Sequence, residues 1–418
     1  MTIASQLSGT KLDRIAVLDV VRGFALLGIF LMNIEYFNRP FQEFGEGIPV
    51  TTMGLDYLVA RLTEIFVTGK FWVLFSMLFG MGFVVMQTRL GLDGRPFHSI
   101  YLRRTIALLI FGLLHIAFLW SGDILHSYAL VALVLMWLPI RSVGVSAFLG
   151  ASLYLAPAFL LLLSGTMMGF LSEAELAKMA AEPESMAQSS IDIANIYAHG
   201  DYLAVTQQRW QDFMHVLNYE PFVFLSALGI FLIGAAIMRS GVLLDLKANR
   251  HLFLKAMLTC GFLAAALIGL ANLFYGRSAM EPKGMLEQAL MMMGNLPLSL
   301  FYLSAIAYAM SYLSGSKILG ILAPAGRMAL SNYLMQSLIG SMVFYGYGLG
   351  LWMHWGRANL ALFVLLVFIL QVVFSHIWLR NFRFGPMEWL WRALTYWTLP
   401  PMRSRSDGSR DTALSIQP

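Results

Sequence analysis

Long, mostly apolar runs recur along the whole chain, beginning with RIAVLDVVRGFALLGIFLMNIEYF at residue 14. A run of 18 or more such residues spans about 30 Å of hydrocarbon as a helix. Inside a bilayer every backbone N–H and C=O must find a partner within the protein, which leaves helices or a closed barrel. Runs this long select helices. Composition agrees: 58% of the 418 residues are hydrophobic and 12% charged, against roughly a quarter charged in soluble domains. The chain therefore reads as an all-α, polytopic integral membrane protein whose principal partner is the lipid bilayer. Nothing in it points to nucleic acid.

Ten spans are expected, over 15–36, 71–89, 103–121, 124–140, 142–164, 219–238, 252–275, 288–312, 328–349 and 358–379. Short cytoplasmic loops are enriched in Lys and Arg. With the N-terminus inside, the inner segments hold 19 of the 28 basic residues, so both termini are expected in the cytoplasm. The organisation expected is a five-helix membrane half (1–164), an extracytoplasmic helical loop (165–218), a second membrane half (219–400) and a disordered tail (401–418). The outer segment 37–70 ends in the amphipathic stretch LDYLVARLTEIF, suited to lying in the interface. The first run is too long for a signal peptide and reads as a retained helix. Cys260 is the single cysteine, so no intramolecular disulfide can form. The 26 methionines read as packing filler.

Ionisable groups within spans are costly and face a protein interior or a wet cavity. Asp19 and Arg22 sit three apart on one helix face, either as a mutually neutralising pair or as the lining of a cytoplasm-facing cavity. Arg103, Arg104 and Arg327 stand at inner mouths of spans. His115 lies eleven residues after Arg104, about 16 Å along a helix and so near mid-membrane. There it is either a helix-bridging hydrogen bonder or an acid/base group. Asp123 either caps the next helix or orients His126, three residues on. Asn332 and Gln336 share a face and suit helix–helix bridging or a substrate-lined wall. Glu388 and Arg392 read as an exposed i, i+4 pair on an inner interfacial helix rich in Trp. Walker-type, HExxH, CxxC and GxSxG motifs are absent from the sequence, and no metal site is expected.

The ordered motifs LDVVRGFALLGIFLMNI, KFWVLFSMLFGMGF, GLLHIAFLWSGDILHSYAL, GRMALSNYLMQSLI and FGPMEWLWRALTYW resemble those of the YeiB-type bacterial membrane proteins, along almost the whole chain. The resemblance implies a multi-pass protein of the bacterial cell (inner) membrane, with a C-terminal half of unknown function. The opening, with Asp19, Arg22 and Asn33, is more distantly similar to the heparan-alpha-glucosaminide N-acetyltransferase group, multi-pass enzymes that use cytosolic acetyl-CoA. That group places a catalytic histidine in the outer segment after its Asn. Residues 34–70 here contain no histidine, so the role would pass to His115 or His126.

The resemblance implies transfer of an acyl group from acetyl-CoA or another acyl-CoA to a glycan or lipid-linked acceptor. His115, Asp123 and His126 would be catalytic. Asp19, Arg22, Arg103, Arg104 and Arg327 would hold the cofactor, and Asn33, Asn332 and Gln336 would line the substrate path. The alternative is a transporter of a small anionic or amphipathic solute.

Overall fold

The computed structural model describes residues 15–40, 47–49, 51–172, 174–176, 184–275 and 281–403. The expected disordered tail lies almost wholly outside them, as does part of the 165–218 loop.

The described residues are helical, without a named strand. In chain order the helices are α1 (Ala16–Tyr36), α2 (Gly54–Phe66), α3 (Lys70–Leu92), α4 (Phe97–Phe118), α5 (Leu125–Leu135), α6 (Val143–Met168), α7 (Glu184–His199) and α8 (Tyr202–Leu217). They continue as α9 (Glu220–Arg239), α10 (Arg250–Ala271), α11 (Pro282–Met310), α12 (Leu313–Leu319), α13 (Ala323–Arg327), α14 (Ala329–Phe344), α15 (Arg357–Asn381) and α16 (Pro386–Tyr396).

Eight of the ten expected spans coincide with helices long and apolar enough to cross a membrane. The fourth and ninth coincide with α5, of 11 residues, and α14, of 16 residues. At 1.5 Å per residue these reach about 16 and 24 Å, short of a full crossing. LPI at 138–140 ends α5 early, because a proline cannot donate to the helix and restricts the residue before it.

Burial separates inner helices from outer ones. The apolar windows of α1 and α9 are 72% and 67% buried, whereas those of α10 and α6 are 17% and 28% buried. The large apolar side chains exposed on α10, such as Leu258 and Phe262, thus face where lipid would lie. Without a hydrophobic drive between helices in lipid, close packing needs small residues. Gly80 on α3 and Gly234 on α9 supply it: a Cβ on either would collide with the other helix's backbone, at Phe231 and Met77. The sixth span thus packs against the second, across the two halves.

The two ends of the bundle differ. At one end the segment 345–358 gathers the segments expected outside. Asn38 Nδ2 donates to the Trp355 carbonyl at 3.0 Å, the Gly346 N–H donates to the Tyr197 carbonyl at 2.8 Å, and Asp56 accepts from the Ala358 N–H at 2.8 Å. At the other end α16 lies across the starts of α4 and α14.

Candidate functional site

α4 ends at Phe118 and the chain reverses through 119–124 into α5. The reversal brings His115, Asp123 and His126 together. The His115 Nδ1 lies 2.8 Å from Asp123 Oδ1. Asp123 Oδ2 accepts from the His126 backbone N–H at 2.8 Å and lies 3.1 Å from His126 Nδ1. Asp123 is thus both the helix cap and the orienting carboxylate, two roles the sequence posed as alternatives. Gly112, one turn before His115, permits the approach: a Cβ there would lie 2.5 Å from the His126 nitrogen and 2.8 Å from Asp123 Oδ2.

All three side chains are buried, at 2%, 4% and 4% exposure. Burial alone would raise the Asp123 carboxyl, but the hydrogen bonds and charges of the two histidines outweigh it and hold the group below its usual range. The imidazoles are enclosed by aromatic rings. Trp120 and Tyr333 stand 6.2 and 5.3 Å from His115, and Phe213 of α8 stands 5.4 Å from His126. His115 Nε2 is buried with no hydrogen-bond partner. His126 Nε2 lies 3.8 Å from Glu220, a residue that sequence reasoning missed although its charge opens an apolar run. His115 occupies the last turn of α4, not its middle. The helix begins at Phe97, seven residues before Arg104, so a depth counted from Arg104 falls about 10 Å short of its position along the helix.

The arginines gather at the opposite end. Asp19 and Arg22 form the expected pair at 2.8 Å, with the acid buried and the guanidinium 30% exposed. Arg104 lies over Trp391 at 3.5 Å, and the Trp391 indole N–H donates to the Arg104 carbonyl at 2.8 Å. Arg22 and Arg392 are close enough to act on Arg104 as like charges. Arg392 was expected only as the partner of Glu388, not among the cofactor-holding residues. It stands over the Phe384 and Tyr396 rings instead of pairing with Glu388. Arg103 points elsewhere, over Trp397 at 4.8 Å. Arg327 Nη2 donates to the Arg383 carbonyl at 3.4 Å.

The expected exposed Glu388–Arg392 pair does not form. Glu388 instead accepts from the Leu330 and Ser331 N–H groups at 2.7 and 3.1 Å and from the Ser331 hydroxyl at 2.6 Å. It therefore caps α14 from another helix. Asn332 donates to Ser375 at 3.1 Å, and Gln336 donates to Gln371 at 2.9 Å. Both side chains join α14 to α15. Asn33 is buried in the last turn of α1, 8% exposed. Among the described residues no group of three or more His, Cys, Asp or Glu is placed to hold a metal ion.

A cavity of about 750 Å³ lies at the His115 end of the bundle, between α1, the α2–α3 junction, α6 and α11. Its lining includes Tyr36, whose ring stands 6.1 Å from Trp120. Trp120 in turn contacts His115, so two rings separate the cavity from the imidazole.

No solved structure matches the chain. Residues 237–398 match the family described as a protein of unknown function, DUF418. The chain is 32% identical to the uncharacterized protein YxaH of Bacillus subtilis (strain 168), over 94% of this chain and 97% of the relative. It is 33% identical to the uncharacterized protein YeiB of Escherichia coli (strain K12), over 94% of this chain and the relative's full length. A 39.9 kDa protein from the amylase 3′ region of Bacillus acidopullulyticus is 26% identical, over 92% and 94%. Identities of 32% and 33% along nearly the entire length establish that the chain belongs to the YeiB-type family.

Proposed function

We propose that the protein is a membrane acyltransferase that moves an acyl group from cytosolic acyl-CoA to a hydroxyl-bearing glycan or lipid-linked acceptor. The observation that carries this reading is His115: its Nδ1 faces Asp123 at 2.8 Å while its Nε2 has no hydrogen-bond partner. A carboxylate on Nδ1 fixes the tautomer that leaves Nε2 as a base. In transfer, Nε2 takes the proton of the acceptor hydroxyl as its oxygen attacks the thioester carbonyl carbon. The carbon–sulfur bond breaks, and the CoA sulfur leaves with the proton from the imidazolium. The buried Asp123 stabilises that imidazolium throughout. Because Trp120 and Tyr333 cover His115, one of these rings must swing aside for substrate to reach Nε2.

The donor's phosphates suit the other end. Arg22, Arg104 and Arg392 lie near one another, and such a group gains most from a polyanion. Arg104 and His115 share one helix, eleven residues or about 16 Å apart, so one extended donor could lie along α4 between them.

Calorimetry with CoA on the purified protein, beside a radiolabelled acyl-transfer assay, tests the reading. The wild type should bind CoA, and Arg104→Ala should weaken binding. His115→Ala should keep CoA binding but lose about 10²–10⁴-fold in transfer. If the wild type binds neither CoA nor acyl-CoA, acyl transfer is wrong and transport of a small solute becomes the better reading.

A further inference from the structure

The cavity of about 750 Å³ has a lining that the acyl-transfer chemistry does not use. Its size falls within the 300–1,000 Å³ range of small-molecule sites. Its acids are Glu35, Glu64 and Glu287, and its bases are Arg39, Lys70 and Arg357. Three of each leaves no net charge, and most are already engaged. Glu35 lies 3.1 Å from Arg357 and 3.4 Å from Arg39. Glu64 pairs with Arg61, and the Lys70 ammonium donates to the Glu64 carbonyl at 2.7 Å. A charged ligand would have to break one of these contacts, whereas a neutral ligand leaves them intact.

The lining nonetheless keeps both kinds of hydrogen-bonding capacity. Arg357 Nη1 and Asn295 Oδ1 are buried without a hydrogen-bond partner, and the Arg357 side chain is only 11% exposed. Buried polar groups left unpaired are rare and call for an explanation. Glu287 accepts no hydrogen bond from any described residue, so its carboxyl is also available to a ligand. Beside these polar groups stand the rings of Tyr36, Trp72 and Tyr154, each pairing an apolar face with a polar handle. Tyr154 is fixed by donating its hydroxyl to the Met292 carbonyl at 2.7 Å.

We infer that this cavity binds a saccharide: a neutral ligand rich in hydroxyls, each both donor and acceptor, with C–H faces that can lie on the rings. The site stands independently of acyl transfer. The same chemistry is offered by a free sugar and by a sugar carried on a lipid.

Two assays separate these sources. Protein in a polyoxyethylene detergent, which carries no sugar, is titrated with maltose and glucose by calorimetry. In parallel, native mass spectrometry measures retention of monoglucosyl diacylglycerol against phosphatidylglycerol. Saturable maltose or glucose binding supports a free sugar, and selective retention of the glucosyl lipid alone supports a lipid-linked one. Glu287→Ala should weaken binding by up to about tenfold, the usual worth of a hydrogen bond. With no hydrogen bond to lose, this variant should melt like the wild type. Trp72→Leu, which removes a ring face, is the second variant. The inference is overturned if neither probe binds, or if binding survives both substitutions unchanged. CoA calorimetry on the same preparations should be unaffected, so this result and that of acyl transfer stay distinguishable.

Discussion

At the residue scale, Asp123 carries three contacts on two oxygens: the His115 ring, the His126 ring and the His126 backbone N–H. Asp123→Asn keeps the shape but replaces an acceptor oxygen with an N–H₂ donor, leaving at least one buried donor unpaired. A loss of about 1–3 kcal/mol of stability is expected, read as a lower melting temperature in detergent. The carboxyl's pKa is depressed below 3.8 in the fold. Its contribution is therefore present above that value and lost as pH falls through the lower folded value. The carboxylate's share of the melting difference should be flat near neutral pH and shrink only below about pH 3.8; a difference that vanishes near neutrality would contradict this assignment. Sequence reading could see the Asp123–His126 spacing because both belong to one helix start. The His115–Asp123 contact could not be read, because it depends on the reversal through 119–124.

At the element scale, α14 shows what spacing can and cannot reveal. Asn332 and Gln336 share a face by helical periodicity alone, but their partners Gln371 and Ser375 come from α15. Gln371 was the available signal, a polar side chain in the middle of an apolar run. The Glu388 cap had no such signal: its i, i+4 spacing to Arg392 is that of an exposed pair, and its true partners lie 57 and 58 residues away. Met328, at the N-cap position of α14, makes no side-chain cap, so Glu388 supplies what the local sequence lacks. Glu388→Ala should cost about 0.5–2 kcal/mol, the range for a lost cap. Burial outweighs the stabilising hydrogen bonds and raises the Glu388 carboxyl above 4.5. An acid raised in the fold binds more protons folded than unfolded, so its ionisation lowers stability as pH rises through that window. Glu388→Gln should remove this slope while retaining part of the cap. An unchanged melting temperature in Glu388→Ala would show that the cap contributes nothing.

At the scale of the whole molecule, hydropathy and length were enough to find the eight long apolar helices, because a bilayer leaves the backbone few choices. They could not say which helices pack together. That depends on glycine pairs such as Gly80 and Gly234, whose partners lie in different parts of the chain. Orientation follows from charge. Arg22, Arg104, Arg327 and Arg392 gather at the α16 end, while the segment 345–358 ties residues 38, 56 and 197 to the other end. Basic residues remain on the cytoplasmic side, which predicts that the α16 end faces the cytoplasm and the cavity faces out. Single cysteines in a Cys260→Ala background can test this at exposed positions: Met53, 77% exposed, Leu203, 65%, and Trp397, 76%. A membrane-impermeant maleimide added to intact cells should label Met53→Cys and Leu203→Cys, and reach Trp397→Cys only after permeabilisation. Labelling of Trp397→Cys alone in intact cells would invert the protein and place the arginines away from cytosolic CoA. Labelling of Met53→Cys and Leu203→Cys from opposite sides would go further, because the segment 345–358 could not then hold both segments at one end of the bundle.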